Sequence, residues 1–247
     1  MFKDTLLAVV QGLTEFLPVS SSGHLVVFNK LLAGGGSVFF YLSLHLGTTF
    51  AIIVFFFRDI ARYLHSAEKI KQILIVTLIT GGLGFLGKDF FESLFSNTRN
   101  VAIALFCNGI VLILANRRIK TAQRKNLSLW DTVIFGFFQA AAIIPGISRS
   151  GLTISSLLFR GIDKEEAFNF SFVAAVPVVI GGFIMEYLRQ SSVAISHFNS
   201  FNYYGGMAIS FLTGLAALFL LRIFVKHSRL SYFGYYCLAG GILLFFF

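Results

Sequence analysis

The sequence predicts an all-α polytopic membrane protein, an inverted-topology repeat with six transmembrane helices plus two re-entrant helical hairpins, forming one membrane domain over 1–247. Three observations carry that prediction. Apolar residues make up 56% of the chain and charged residues 13%, with a mean hydropathy of +0.81; a soluble domain carries about 25% charged residues. Thirty-one Phe cannot all sit in one small core, so many must face lipid. Finally, the two halves of the chain share a pattern at a fixed offset of 128 residues.

Uninterrupted apolar runs near the length of a bilayer span, about 20 residues, fall at 38–57, 72–87, 100–116, 168–187, 203–221 and 231–247. Two other apolar segments are interrupted. Pro18, Ser20, Ser21, Ser22, Gly23 and His24 break 5–32, and Pro145, Gly146, Ser148, Arg149, Ser150 and Gly151 break 132–160. Each half is about 10–14 residues, the length of a re-entrant element. Irregular backbone at membrane depth survives only where protein or a wet cavity satisfies its polar groups. The expectation is therefore a re-entrant hairpin at each break.

Shifting the sequence by 128 residues places Gln11 on Gln139, Ser20 on Ser148, Ser22 on Ser150 and Gly23 on Gly151. Phe40 then meets Phe168 and Ser43 meets Ser171. This divides the chain into a first repeat, 1–116, a linker, 117–130, and a second repeat, 131–247. Loop charge sets the orientation. Lys and Arg crowd 58–71, 117–125 and 222–229, and are sparse or balanced in 88–99 and 186–199. The positive-inside rule places the first three in the cytoplasm and the last two outside. Corresponding loops then lie on opposite sides, as in an inverted repeat. Both termini fall outside, against which Lys3 weighs.

The net charge of +9 resides in these loops and orients spans beside anionic headgroups, so no nucleic-acid partner is expected. No cleavable signal peptide is expected either, because the first apolar stretch holds Gln11 and Glu15 and no small-residue cleavage site. Cys107 and Cys237 read as packing residues. Gly81, Gly82, Gly84, Gly181, Gly182, Gly240 and Gly241 read as sites of close helix packing.

Polar residues at membrane depth are costly and so are functional candidates. Gln11 and Glu15, four apart, share a helix face and offer oxygen ligands to a hard cation; the alternative is that Glu15 locks onto Arg149. Ser20, Ser21 and Ser22 stand at a helix start, where serines cap and free N–H groups bind anions. His24 can be a base, acid or nucleophile, or simply bond to backbone. Arg149, between Ser148 and Ser150 at another helix start, suits phosphate. Thr153 either adds a hydroxyl or bonds back to its own turn. Together these residues describe an intramembrane site for an anionic, phosphorylated, lipid-soluble substrate, with groups sufficient for phosphoryl transfer to water.

Gln11-Gly-Leu-Thr-Glu-Phe-Leu-Pro-Val-Ser-Ser-Ser-Gly-His24 and Pro145-Gly-Ile-Ser-Arg-Ser-Gly-Leu-Thr153 closely resemble the two signature motifs of undecaprenyl-diphosphate phosphatases, the bacitracin-resistance family. The resemblance extends through His45-Leu-Gly-Thr48 and Asn169-Phe-Ser-Phe172. It implies hydrolysis of undecaprenyl diphosphate to undecaprenyl phosphate and inorganic phosphate, recycling the cell-wall lipid carrier and conferring bacitracin resistance. It also implies a divalent cation, Mg²⁺ or Ca²⁺, and a bacterial inner-membrane site open to the periplasm, with a homodimer as an open assembly.

By motif position, Glu15, Ser21, His24 and Arg149 are the expected catalytic residues. Gln11, Ser22, Ser148, Ser150 and Thr153 are the expected substrate contacts, and Gln11 with Glu15 the metal ligands. The nucleophile is left as Ser21, His24 or a water activated by His24. Where the family often has an acidic residue after the Phe of the span start, Tyr41 follows Phe40. A second lipid-phosphatase superfamily with Ser-Gly-His and Ser-Arg motifs needs a His soon after the Arg, and none follows Arg149 until His197. The rival outside enzymology is a lipid-phosphate transporter, since inverted repeats are a transporter architecture.

Overall fold

The computed structural model describes residues 2–31, 38–95, 97–189 and 201–246. All regular elements among them are helices: α1 Phe2–Phe16, α2 Ser21–Leu31, α3 Val38–Phe55, α4 Phe57–Leu64, α5 Ala67–Leu86, α6 Lys88–Phe95, α7 Thr98–Arg118, α8 Leu129–Ala141, α9 Arg149–Phe159, α10 Lys164–Arg189, α11 Phe201–Lys226 and α12 Ser231–Phe245.

Four of these helices are long and apolar enough to cross a membrane: α5, α7, α10 and α11. The segment expected at 38–57 bends by 72° at Phe56, and α3 with α4 makes a fifth if the bent pair is one span. The helix at the sixth predicted span, α12, has 15 residues, or roughly 23 Å at 1.5 Å per residue, shorter than a hydrocarbon core of about 30 Å. Most of the predicted loop 186–199 lies outside the described residues. Large apolar side chains such as Leu78, Leu86, Phe106 and Phe219 point outward, as a lipid-facing surface requires.

Both interrupted segments fold as paired short helices, α1 with α2 and α8 with α9. The breaks are built alike. Gly23 N donates to Ser20 Oγ at 3.2 Å, and Gly151 N donates to Ser148 Oγ at 3.2 Å. Ser20 Oγ lies 3.2 Å from Ser22 Oγ, and Ser148 Oγ lies 3.1 Å from Ser150 Oγ. Each first serine thus caps the following helix by satisfying an amide that has no intrahelical partner.

Helix pairing follows small residues, because lipid supplies no hydrophobic drive between helices. Along α7 and α12, a Cβ at Gly109 would meet Gly234 O at 2.7 Å, and one at Gly241 would meet Ala102 O at 2.9 Å. Gly12 presses α1 onto α11 at Ser210 and Thr213, and α11 also packs on α3. In parallel, α8 packs on α5 and α10 on α5, while α3 and α10 touch each other. The expectation for the mid-helix glycines needs correction. Gly240 and Gly241 do contact α7, but Gly81, Gly82, Gly181 and Gly182 have nothing within 4 Å of an added Cβ. Gly81, Gly181 and Gly182 instead border a cavity.

Beneath the breaks, the buried rings of Phe16, Phe56, Phe168 and Phe172 interlock, with centroids 5.1–5.6 Å apart. Two of the pairs meet edge-on and Phe56 stacks on Phe172; aromatic pairs of this kind contribute about 0.5–1.5 kcal/mol each beyond burial. They floor the region where α1, α3 and α10 converge.

Candidate active site

The helical repeat puts Gln11 and Glu15 one turn apart on α1, and the first break then returns the chain beside them. Gln11 Nε2 donates to Glu15 Oε2 at 3.0 Å, and Ser21 Oγ donates to the same oxygen at 2.8 Å. From the second break, Arg149 Nη2 donates to Glu15 Oε1 at 3.0 Å. The carboxylate is nearly enclosed, with 11% of its side chain exposed, and Arg149 is little more so at 17%. A buried carboxylate holds its charge only with such partners. Ser21 and Arg149 each begin a helix, so α2 and α9 both start at this point, where helix N-termini favour anions.

Two buried polar atoms at the centre have no hydrogen-bond partner among the described residues: Arg149 Nη1 and Gln11 Oε1. The first is a donor suited to an anion, and the second an acceptor suited to a cation. No group of three or more His, Cys, Asp or Glu able to hold a metal occurs among the described residues.

His45 on α3 joins this centre, although it was not among the candidate site residues. Its Nδ1 lies 3.1 Å from Gln11 Nε2 and 3.8 Å from Glu15 Oε2. Its place inside the His45-Leu-Gly-Thr48 stretch was the only signal.

His24 is placed elsewhere. Its Nδ1 lies 2.8 Å from the Ser20 carbonyl, so that nitrogen carries the proton, and its Nε2 lies 2.7 Å from Tyr236 Oη on α12. The imidazole stacks on the Tyr236 ring and faces a separate cavity of about 360 Å³ with Phe28, Leu105 and Leu244. The Ser20 carbonyl it grips belongs to a residue with φ of 67°, a left-handed backbone that costs a non-glycine residue about 1–3 kcal/mol.

The remaining predicted contacts bond to the scaffold. Ser22 Oγ accepts from Gly146 N at 3.4 Å, tying the two breaks together. Ser148 caps α9, and Ser150 Oγ donates to Phe16 O at 2.8 Å. Thr153 Oγ1 donates to Arg149 O at 2.6 Å and lies 2.6 Å from Ser171 Oγ. The buried Asn108 on α7 completes the frame: its Nδ2 donates to Pro18 O at 3.1 Å, and its Oδ1 accepts from Ser148 N at 3.2 Å. One side chain therefore satisfies backbone groups from both breaks.

A fold of apolar helices whose two broken pairs bring a carboxylate, a serine and an arginine together defines a polytopic membrane protein with a buried, charged polar centre. The family profile described as Bacitracin resistance protein BacA matches residues 4–243, and the chain belongs to that family. It is 36% identical over 250 residues to an undecaprenyl-diphosphatase of Methanococcus maripaludis, covering 97% of each chain. It is 37% identical over 270 residues to one of Alkaliphilus metalliredigens, covering 100% of this chain and 98% of the relative. With one of Thermotoga petrophila it shares 38% identity over 243 residues, covering 97% and 98%.

Proposed function

We propose that this protein hydrolyses undecaprenyl diphosphate to undecaprenyl phosphate and inorganic phosphate, the activity for which its relatives are named. The observation that carries the reading is the Glu15 carboxylate, held between the Ser21 hydroxyl at 2.8 Å and the Arg149 guanidinium at 3.0 Å. A serine bonded to a carboxylate is an activated nucleophile, and a guanidinium beside it neutralises phosphate charge.

Ser21 Oγ attacks the terminal phosphorus while its proton passes to Glu15 Oε2. The bond from that phosphorus to the bridging oxygen breaks, and undecaprenyl phosphate leaves with the proton handed on by Glu15. Water then attacks the phosphoserine and gives its proton to the restored Glu15 carboxylate, which returns it to Ser21 Oγ as inorganic phosphate is released. The unpartnered Arg149 Nη1 binds the phosphate oxygens, and the N-termini of α2 and α9 add fixed positive potential. His24, engaged at both nitrogens away from Glu15, acts by positioning: it holds the Ser20 carbonyl and so fixes the turn that presents Ser21.

The centre suits a divalent cation in an open arrangement. Gln11 Oε1 has no partner among the described residues, and Glu15 is adjacent. Mg²⁺ commonly takes one or two carboxylates with substrate phosphates supplying further oxygens. Gln11 and Glu15 would hold such an ion, which would supply charge neutralisation to the diphosphate.

The finer architecture belongs to the same reading: six crossings and two re-entrant hairpins in an inverted repeat. Its support is that helix pairs exchange under the 128-residue offset. The pairing of α1 with α11 maps onto α8 with α5, and α3 with α11 maps onto α10 with α5. We place the protein in the bacterial inner membrane with the centre open to the outer face, where it recycles the lipid carrier and confers bacitracin resistance. The test is phosphate release from undecaprenyl diphosphate by purified protein, with and without EDTA. Metal-dependent release is expected; lipid movement in vesicles without any phosphate release would favour a transporter.

A further inference from the structure

Two cavities meet at Arg149. One, of about 310 Å³, lies between α3 and α10 and is walled by Leu42, Leu46, Ile180 and Phe183. Among the described residues its only ionisable lining groups are Glu15, His45 and Arg149; the one other polar side chain, Thr49, donates its hydroxyl to His45 O, and the remaining walls are apolar, with Ile180 partly exposed on the outer surface. The other, of about 510 Å³, lies between α5 and α10 and runs past Thr80, Gly81 and Gln139. Charged residues line it as well: Lys88 and Glu92 on α6, and Glu186 and Arg189 at the end of α10. Gln139 borders it, and its buried Oε1 has no partner among the described residues, a polar atom that water satisfies.

These linings differ in what they admit. An isoprenyl chain makes no hydrogen bonds and enters from lipid, so an apolar cleft suits it. A free phosphate ion cannot cross an apolar mouth without a large desolvation cost. Charged side chains at the end of a helix mark the watery side of a membrane protein. The cavities share Val179, Gly182 and Arg149 at their junction, beside the Glu15 carboxylate.

We propose that the α3/α10 cavity seats the polyprenyl chain of the substrate, and that the α5/α10 cavity is the aqueous path by which inorganic phosphate leaves. The assignment rests on the phosphatase reading, and it explains the open glycines. A side chain at Gly81 or Gly181 would narrow the phosphate path without meeting any atom that forbids it.

Two measurements on the full-length protein test it. Farnesyl diphosphate carrying a photoreactive diazirine at its far end should label Leu42, Leu46, Ile180 or Phe183. Labelling of α5 between Thr77 and Phe85 would overturn the chain assignment. In the second, Leu46→Trp fills the first cavity and Gly81→Leu narrows the second. Leu46→Trp should lower kcat/KM for undecaprenyl diphosphate about tenfold more than for isopentenyl diphosphate, since only the long chain needs the cleft. Gly81→Leu should lower kcat for both substrates by the same factor. Equal losses on both substrates in Leu46→Trp, or chain-length selectivity in Gly81→Leu, would reverse the assignment. Labelling needs no turnover, so the two readings fail separately. Labelling of α3 and α10 without phosphate release would keep the chain site and discard the phosphatase, whereas release with labelling of α5 would do the opposite.

Discussion

Arg149 Nη2 donates to Glu15 Oε1 at 3.0 Å, joining two broken helix pairs 134 residues apart in the chain. The contact serves two ends. It stabilises a carboxylate that could not stay charged alone at that depth, and it leaves Nη1 for a ligand. A lysine presents one point charge and cannot hold Glu15 and a phosphate in the same plane.

Arg149→Lys should therefore cost about 100-fold or more in kcat/KM for phosphate release, the scale of losing an oriented charge at a reacting phosphate. Steady-state assays of the purified variant check this. Near-normal turnover would remove Arg149 from phosphate binding.

Gln11→Leu removes the unpartnered acceptor beside Glu15 while keeping the side chain's bulk. The divalent cation concentration giving half-maximal activity should rise about tenfold or more, as expected for loss of a metal-site partner. A metal titration reads this directly. An unchanged midpoint would leave Gln11 as a structural partner of Glu15 and His45.

Asn108→Leu strands Ser148 N and leaves Pro18 O with only the weak Cys237 Sγ donor at 3.4 Å. Each buried backbone group left unsatisfied costs about 1–3 kcal/mol. The thermal unfolding midpoint in detergent should fall clearly, because one residue braces both breaks. A midpoint within error of the wild type would mean that the two breaks are held by other contacts.

At the linker, Asp131 receives Arg160 Nε at 2.7 Å and Arg124 Nη2 at 2.8 Å while closing a capping box with Ser128. Burial alone would raise its pKa, but the hydrogen bonds from Ser128 and Arg160 and the Arg124 charge outweigh burial and hold the carboxyl below the ordinary range. A depressed folded pKa gives stability that is full above the unfolded value, about 4, and that is lost as pH falls through the folded value. Unfolding midpoints measured across acid pH should therefore drop for the wild type. Asp131→Asn should begin lower at neutral pH and fall less steeply. Parallel curves would show that the carboxylate adds nothing.

Much of this arrangement was legible in the sequence. The two breaks could be located because proline, glycine and serine interrupt apolar runs, and their common build followed from Ser20 and Ser22 recurring as Ser148 and Ser150. The grouping of Gln11, Glu15, Ser21 and Arg149 followed from one helix face and two helix starts. Less legible were contacts made by residues inside long apolar spans. Asn108 and Tyr236 brace the breaks from α7 and α12, and they stand 128 residues apart, yet their types differ and a comparison by identity passes over them. The position of the His24 ring was hidden for a related reason. Spacing along α2 places it near Ser21, but the ring direction depends on Tyr236, 212 residues away. The glycines of α5 and α10 read like packing residues because composition cannot tell a close neighbour from a cavity wall.

The central claim is that Ser21, bonded to Glu15, carries the chemistry while His24 holds the turn. The most direct measurement is single-turnover phosphate release from undecaprenyl diphosphate by wild type, Ser21→Ala and His24→Ala, each checked for folding and for substrate binding. Ser21→Ala should bind the lipid diphosphate yet release no phosphate, while His24→Ala should be slowed but retain release above background. Phosphate release by Ser21→Ala at a near wild-type rate, with His24→Ala inert though folded and binding, would contradict the assignment and move the reacting group to His24.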